Sequence, residues 1–195
     1  RHLLGLHDDR VPLDDLSLVA TTRQSALIAR GNGYNVDAVK WLAFGDVHGE
    51  GLLLTPIDRE PIANVVAIPH CDVTPEQLCG LDKELTAEAQ FARRLVESGC
   101  RVVVPLLVDR NIRKHGISHR EWLHRAAYEM GRTMTGYEVH KVLAVVDSFR
   151  SNGPPARPLG VIGWGDGGLI GWYAPGLSIH GLMLPPVVSG RTVTE

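Results

Sequence analysis

Three continuous runs of small and branched apolar residues constrain this chain most. They are ANVVAIPH at 63–70, CRVVVPLLV at 100–108 and PLGVIGWG at 158–165. None of them alternates apolar with polar residues, so each is expected to be a strand buried on both faces. Between the first two lies TAEAQFARRLVESG (86–99), with Ala89, Phe91, Ala92, Leu95 and Val96 at helical spacing and Gly99 placed as a C-terminal cap. Between the second and third lies the long segment 119–149. There Leu123, Ala127, Met130, Met134, Tyr137, Val142 and Val146 form an apolar stripe, with a break expected at Thr133–Gly136. GGLIGWYA (167–174) opens a helix, and IHGLMLPPVVSG (179–190) reads as a fourth strand. Strand and helix in alternation predict an α/β fold: a mostly parallel sheet with crossover helices. The strand 160–164 is expected at its centre, with helix 119–149 packed on one face.

The segments before residue 63 read differently. Residues 1–35 are expected to be an N-terminal extension, with one helix from about Asp14 to Arg30 ended by Gly31 and Gly33. The main domain is placed at 36–195. DAVKWLAFGDV and EGLLLTPID flank VHGEG and predict a hairpin that turns there, leaving His48 and Glu50 in a solvated turn. RSNGPPARP (150–158) reads as a surface loop, not a linker between domains.

Composition narrows the function classes. Apolar residues make up 44% and charged residues 22%, with a formal net charge of −2. No basic run exceeds two residues, so no nucleic-acid partner is expected. No apolar stretch approaches the roughly 20 residues that span a bilayer, so no membrane partner is expected. Cys71, Cys79 and Cys100 are too few and odd in number for a disulfide framework. Free buried thiols are the expectation, with a Cys71–Cys79 bridge as the alternative. The first residue is Arg1, which predicts a chain that is cut or processed.

The stretch GVIGWGDGG (160–168) carries the chemistry. A strand that turns sharply into a helix needs small residues two before and two after the tip, because larger side chains collide there. Gly163 and Gly167 meet that demand around Gly165, and Gly168 allows close packing of helix on strand. With the strand before it and the helix after it, this pattern resembles the nucleophile elbow of the α/β-hydrolase superfamily. The resemblance narrows to the dienelactone-hydrolase and acetyl-xylan-esterase-like branch. It covers roughly residues 37–190, on GEGLLLTP, VVAIPHCDVTPEQLCGL, FARRLVESGCRVVVPLLVDR, the segment 119–149 and GVIGWGDGG. The resemblance implies a carboxylic-ester hydrolase acting on a small acyl or carbohydrate ester, with no cofactor. It places the nucleophile at position 165, where this chain has Gly165, and so implies either an inactive hydrolase or a non-catalytic binding or structural module. It also places oxyanion donors at the backbone N–H of Asp166 and in the loop around His70 and Cys71.

Other candidates have plainer readings beside them. Asp166 is either a substitute nucleophile or a cap for the following helix. Cys71 is either a nucleophile served by His70 or a buried thiol; on an extended chain the two side chains would point apart. Ser189 is either a cleft residue or a turn serine. His115, His119 and His124 approach metal-ligand spacing but lie off a common face, so no metal site is expected. Arg120, Arg132 and Glu138 are expected either as an ion network under the sheet or as exposed charges. Only thirty residues follow Gly165, and His180 is the one histidine among them. In this superfamily the acid and the histidine follow the nucleophile. The fold is therefore expected to be incomplete at its C-terminus, with no histidine reaching the tip and an exposed sheet edge through which copies associate.

Overall fold

The computed structural model describes residues 2–12, 15–82, 84–112, 116–151 and 157–177. Seven strands form one sheet: β1 (Ser17–Leu18), β2 (Leu27–Gly31), β3 (Tyr34–Phe44), β4 (Val47–Pro56), β5 (Asn64–Ile68), β6 (Arg101–Pro105) and β7 (Leu159–Gly163). Five helices accompany them: α1 (Pro75–Leu78), α2 (Phe91–Glu97), α3 (His119–Glu129), α4 (Met134–Ser151) and α5 (Asp166–Leu177). The strand order is β1-β3-β4-β6-β5-β7, with β2 also pairing with β3. The fold is α/β and the sheet is mixed. β5 pairs in parallel with β6 and with β7, while β1, β2 and β4 run antiparallel to β3 and β4 runs antiparallel to β6.

The three expected parallel strands are neighbours, but β5 lies between the other two, not β7. Among the described residues β7 has one partner. Its pattern explains the difference: β5 is buried throughout, whereas Gly160–Gly163 are only half-buried. A run with two glycines buries less than NVVAI and suits a less central place.

The alternation of side chains divides the core into two layers. Val66, Ile68 and Val103 face α4 and α5, where Val139, Val142, Leu143, Val146, Ile170 and Ala174 close over them. Val65, Ala67, Val102 and Val104 face the other way, onto Leu78 of α1 and Ala92 and Val96 of α2. Covered on both faces, β5 and β6 carry continuous apolar sequence, as their runs imply. Trp41 locks the hairpin to this core: its ring is buried and its Nε1 donates to the Lys141 carbonyl at 3.0 Å.

Three local expectations are corrected. No helix forms between Asp14 and Arg30; the chain there makes β1 and β2, which pair with β3. Its apolar residues do not share a face, since Leu16 and Ala26 are buried but Leu18 and Ile28 are exposed. The hairpin turns at Gly45–Asp46, where Gly45 has φ +50°, and not at VHGEG. His48 and Glu50 therefore lie within β4, opposite Leu42 and Lys40. The break expected at Thr133–Gly136 in the segment 119–149 is present but falls earlier, at residues 130–133, where Gly131 takes the left-handed region (φ +71°). The expected strand 179–190, with His180 and Ser189, lies outside the described residues, as does His115.

Arg132, at this break, does not join Glu138. It grips Asp8 with two bonds, Nε to Oδ2 at 3.0 Å and Nη2 to Oδ1 at 2.6 Å, and so ties the N-terminal segment to the α3–α4 turn. The Arg132 hydrogen bond holds the Asp8 carboxyl below its ordinary value of 3.8. A depressed carboxyl stabilises the fold above its unfolded value, and the contribution is lost as pH falls through the folded value. Asp8→Asn should therefore speed hydrogen exchange of residues 3–8 at pH 7. The wild-type segment should loosen in the same way on acidification below about pH 4. Equal exchange in the two proteins at pH 7 would show that the clamp holds nothing.

Candidate functional site

The site lies at the carboxyl ends of β5, β6 and β7, where ligands collect in sheets of this kind. Three loops meet there: 69–73 after β5, 106–112 after β6, and the turn from β7 into α5. The turn is built on glycine. Gly165 has φ +57°, a conformation glycine reaches without the penalty that other residues carry. A Cβ on Gly163 would stand 2.1 Å from the Gly167 carbonyl oxygen, and one on Gly167 would stand 2.3 Å from that of Ile68. No side chain fits at either position. Gly168 is less crowded, with its nearest neighbour at 3.4 Å from a built Cβ. The strand–turn–helix expected from GVIGWGDGG is present: β7 ends at Gly163, Gly165 takes the left-handed conformation and α5 begins at Asp166.

The space over the tip is filled. A Cβ on Gly165 would meet His70 Nδ1 at 2.5 Å, so the imidazole occupies the volume into which a residue at 165 would project. His70 Nδ1 lies 2.9 Å from Asp166 Oδ2 and 3.4 Å from the Asp166 backbone nitrogen. One nitrogen cannot donate to the first and accept from the second. The shorter, charge-assisted contact decides the tautomer, which is assigned here from its partners: Nδ1 carries the proton and donates to the carboxylate. That bond supplies the partner that Asp166 Oδ2, fully buried as an atom, otherwise lacks. On the other side of the ring, Nε2 is 3.4 Å from Asp72 Oδ2.

Arg110 closes the cluster from the β6 loop. Its Nη2 donates to Asp166 Oδ1 at 2.9 Å, and its Nη1 reaches Cys71 Sγ at 2.7 Å and Asp72 Oδ2 at 3.3 Å. Its backbone N–H donates to Asp72 Oδ1 at 3.1 Å. Burial pushes the Asp166 carboxyl up, but hydrogen bonds from Cys71 and Arg110 and the Arg110 and His70 charges outweigh it, and the group ends below its ordinary value. Asp72 behaves alike: burial raises it, and the Arg110 backbone and side-chain bonds bring it down. Both are carboxylates at neutral pH. Cys71 is buried and free, and its thiol is pushed up to about 12, first by burial and then by Asp166. A thiol so placed is a poor nucleophile. Cys79 and Cys100 are also free and buried, so the Cys71–Cys79 bridge does not form.

Behind the β6 loop stands a second ion pair. Glu138, fully buried on α4, accepts from Arg120 of α3 through both oxygens, at 2.5 and 2.7 Å. Its Oε1 also accepts the Val108 N–H at 3.3 Å, and Arg120 donates to the Val108 carbonyl at 3.1 Å. Val108 is thus held from both sides, two residues before Arg110. Of the expected network, Arg120 and Glu138 pair and Arg132 does not join them.

The structure brings together His70, Cys71 and Asp166 beside Gly165, and leaves His119 and His124 on α3, apart from that group. Sequence reasoning missed Asp72 and Arg110. The available signal was position: VDR follows a buried strand, at the end of the sheet where sites form.

Strand order, crossover helices on both faces and a glycine-built strand–turn–helix give an α/β-hydrolase-like fold. No protein-family model matches the chain, and no curated protein matches it in sequence. Among solved structures it is similar to a protein assigned as an acetyl xylan esterase from Bacteroides fragilis NCTC 9343, at 16% identity and TM-score 0.54, over 72% of this chain and 42% of that one. It is also similar to acetyl xylan esterase 1 from Thermoanaerobacterium sp. JW/SL YS485, at 9% identity and TM-score 0.53, over 82% and 47%. A third is a cold-adapted esterase from an Arctic intertidal metagenomic library, at 18% identity and TM-score 0.50, over 77% and 58%. The chain spans about half the length of these structures. No helix among the described residues is long and apolar enough to cross a membrane.

Proposed function

We propose that this chain is an α/β-hydrolase-fold protein of the carboxylic-ester hydrolase type in which covalent acyl transfer through the elbow is closed. One observation carries the reading: the tip residue is Gly165, in the left-handed conformation, with the His70 ring packed where a nucleophilic side chain would stand. The substrate class would be a small acyl or carbohydrate ester, by likeness of fold to esterases. The Asp166 N–H and the backbone around His70 and Cys71 are the groups that would polarise an ester carbonyl. Donors of that kind are worth about 3 kcal/mol each in such sites. The His70 ring, facing the Asp166 N–H, would have to swing aside to admit the carbonyl.

A second reading, a binding module without catalysis, has its own support. His70, Asp72, Arg110 and Asp166 satisfy one another, and no ring nitrogen of His70 faces open space. Association of copies along the side of β7 that has no partner among the described residues belongs to the same proposal and is read by sedimentation.

The test is incubation with a fluorophosphonate probe and measurement of intact mass. We expect no adduct, and no burst with a short-chain nitrophenyl ester. Steady turnover without an adduct would favour a non-covalent hydrolase; no turnover would favour the binding module. An adduct at Asp166, Cys71 or Ser189, located by peptide mapping, would overturn the closed-elbow reading.

A further inference from the structure

We propose that His70, Cys71 and Asp166 form a binding site for a zinc-class divalent ion. No metal site is expected from the spacing of the residues along the chain; the fold creates the donor set. The ligating atoms of these three residues all lie within 4.8 Å of one another, and they are the one such group among the described residues. They come from two loops: His70 and Cys71 follow β5, and Asp166 opens α5.

The chemistry of the set selects the ion. One imidazole nitrogen, one sulfur and one carboxylate oxygen suit a borderline-soft cation such as zinc, and do not suit magnesium or calcium, which take oxygen ligands. In a tetrahedral site with bonds of about 2.0–2.3 Å, the ligand atoms stand roughly 3.3–3.5 Å apart. His70 Nδ1 and Asp166 Oδ2 are 2.9 Å apart now. Movements of a few tenths of an ångström at that pair, and about 1 Å at the sulfur, bring the three to that spacing. Three protein ligands leave the fourth position for water or a ligand oxygen.

A second observation supports the same ion independently. A histidine bound to a metal commonly donates its other ring N–H to a carboxylate, which fixes the ring and raises its basicity. Here Nε2 is 3.4 Å from Asp72 Oδ2, and Asp72 is itself held by the Arg110 backbone N–H. The outer partner is therefore built on the side of the ring away from the ion. With the metal on Nδ1, the imidazole moves its proton to Nε2, and the Asp166 N–H no longer competes for it.

Arg110 is the competing cation. Its guanidinium touches Cys71 Sγ, one donor the ion would need, and Oδ1 of the Asp166 carboxylate whose Oδ2 is another, and its side chain is 45% exposed, so it can swing outward. A site that holds a cation by side-chain arginine in one state and by metal in another releases protons and frees Arg110 when the metal enters. The proposal stands whether or not the chain hydrolyses esters.

The experiment uses the full chain, stripped with chelator and titrated with zinc against a chromophoric competitor, and separately with cobalt. We expect one equivalent of zinc bound with a dissociation constant on the order of micromolar or tighter. The cobalt complex should show a thiolate-to-metal charge-transfer band. Cys71→Ser, near in size to the wild type, should lose that band, while Cys79→Ser and Cys100→Ser keep it. Asp72→Asn should weaken zinc by about 10- to 100-fold. Arg110→Gln should strengthen it, an effect that a merely structural ion-pair cluster would not give. The wild-type cobalt spectrum decides the matter even if a variant fails to fold. Absence of binding, or a cobalt complex with no thiolate band, would overturn the proposal.

Discussion

Glu138→Ala is expected to destabilise the fold by about 3–5 kcal/mol, because it leaves the Arg120 guanidinium buried without its counter-charge. Glu138 is fully buried and Arg120 nearly so, with side-chain exposures of 0% and 14%. Neither can turn to water without opening the contact between α3, α4 and the β6 loop. Replacing both partners is a different perturbation. Arg120→Met with Glu138→Leu removes both charges and fills the volume, and such swaps are commonly neutral or stabilising in buried pairs. The double variant should therefore be far more stable than Glu138→Ala, by chemical denaturation with an unchanged slope. The pair also positions the site, since both members hold Val108. The double variant should fold and yet place Arg110 less firmly, which would appear as faster hydrogen exchange at residues 106–111. Equal destabilisation by the single and double changes would show that packing, not charge, is what Glu138 contributes.

The sequence exposed the layered part of the fold well and its borders poorly. NVVAI and RVVVP could be read as strands because a sheet covered on both faces leaves no polar positions to confuse the pattern. The same reading failed for residues 14–30. LIARG becomes a strand because β3 offers it an edge, and that partner lies outside any local window. The hairpin turn obeys a local rule: a two-residue Gly–Asp loop is itself a hairpin signal, and it stands just before the glycines of VHGEG, which carry a similar signal. Central placement of β7 failed because strand order depends on the packing of all the strands, which one strand's composition only weakly reports.

The candidate site divides in the same way. Gly163, Gly165 and Gly167 were legible because steric rules act over five residues. The cluster around them was not. Alternation along a strand would turn His70 and Cys71 apart, but β5 ends at Ile68 and the chain then turns, with Val73 N–H bonded to the His70 carbonyl. Both side chains can then face Asp166, 95 residues or more along the chain. Arg110 and Asp72 enter for the same reason, 38 residues apart in sequence and 3.1 Å apart in space. Such meetings are set by topology, and periodicity does not contain them.

A glycine series across the elbow should separate its roles by size of effect. Gly163→Ala and Gly167→Ala should each cost about 3 kcal/mol or more, at the upper end for overpacking, because the new methyl meets backbone that cannot rotate away. For Gly167 the obstacles are the Ile68 and Pro69 carbonyls, at 2.3 and 2.4 Å, on the central parallel strand and its exit. Gly171→Ala is the control. Its nearest neighbour would be Val161 at 3.6 Å, an ordinary contact, and in a helix interior alanine is favoured over glycine by up to about 1 kcal/mol. Thermal unfolding should therefore place Gly171→Ala at or above the wild type and the other two well below it. Gly165→Ser lies between. The left-handed backbone costs a non-glycine residue roughly 1–2 kcal/mol, and its obstacle is a side chain, His70, that can shift. The variant should fold, and it should still not turn over a nitrophenyl ester strongly. A serine needs a ring nitrogen free to take its proton. Here Nδ1 is committed to Asp166, while Nε2 faces Asp72 and Arg110 on the far side of the ring. A large rate gain in Gly165→Ser, with an acyl adduct by intact mass, would mean that His70 can turn and serve the new hydroxyl. The elbow would then lack nothing but its nucleophile.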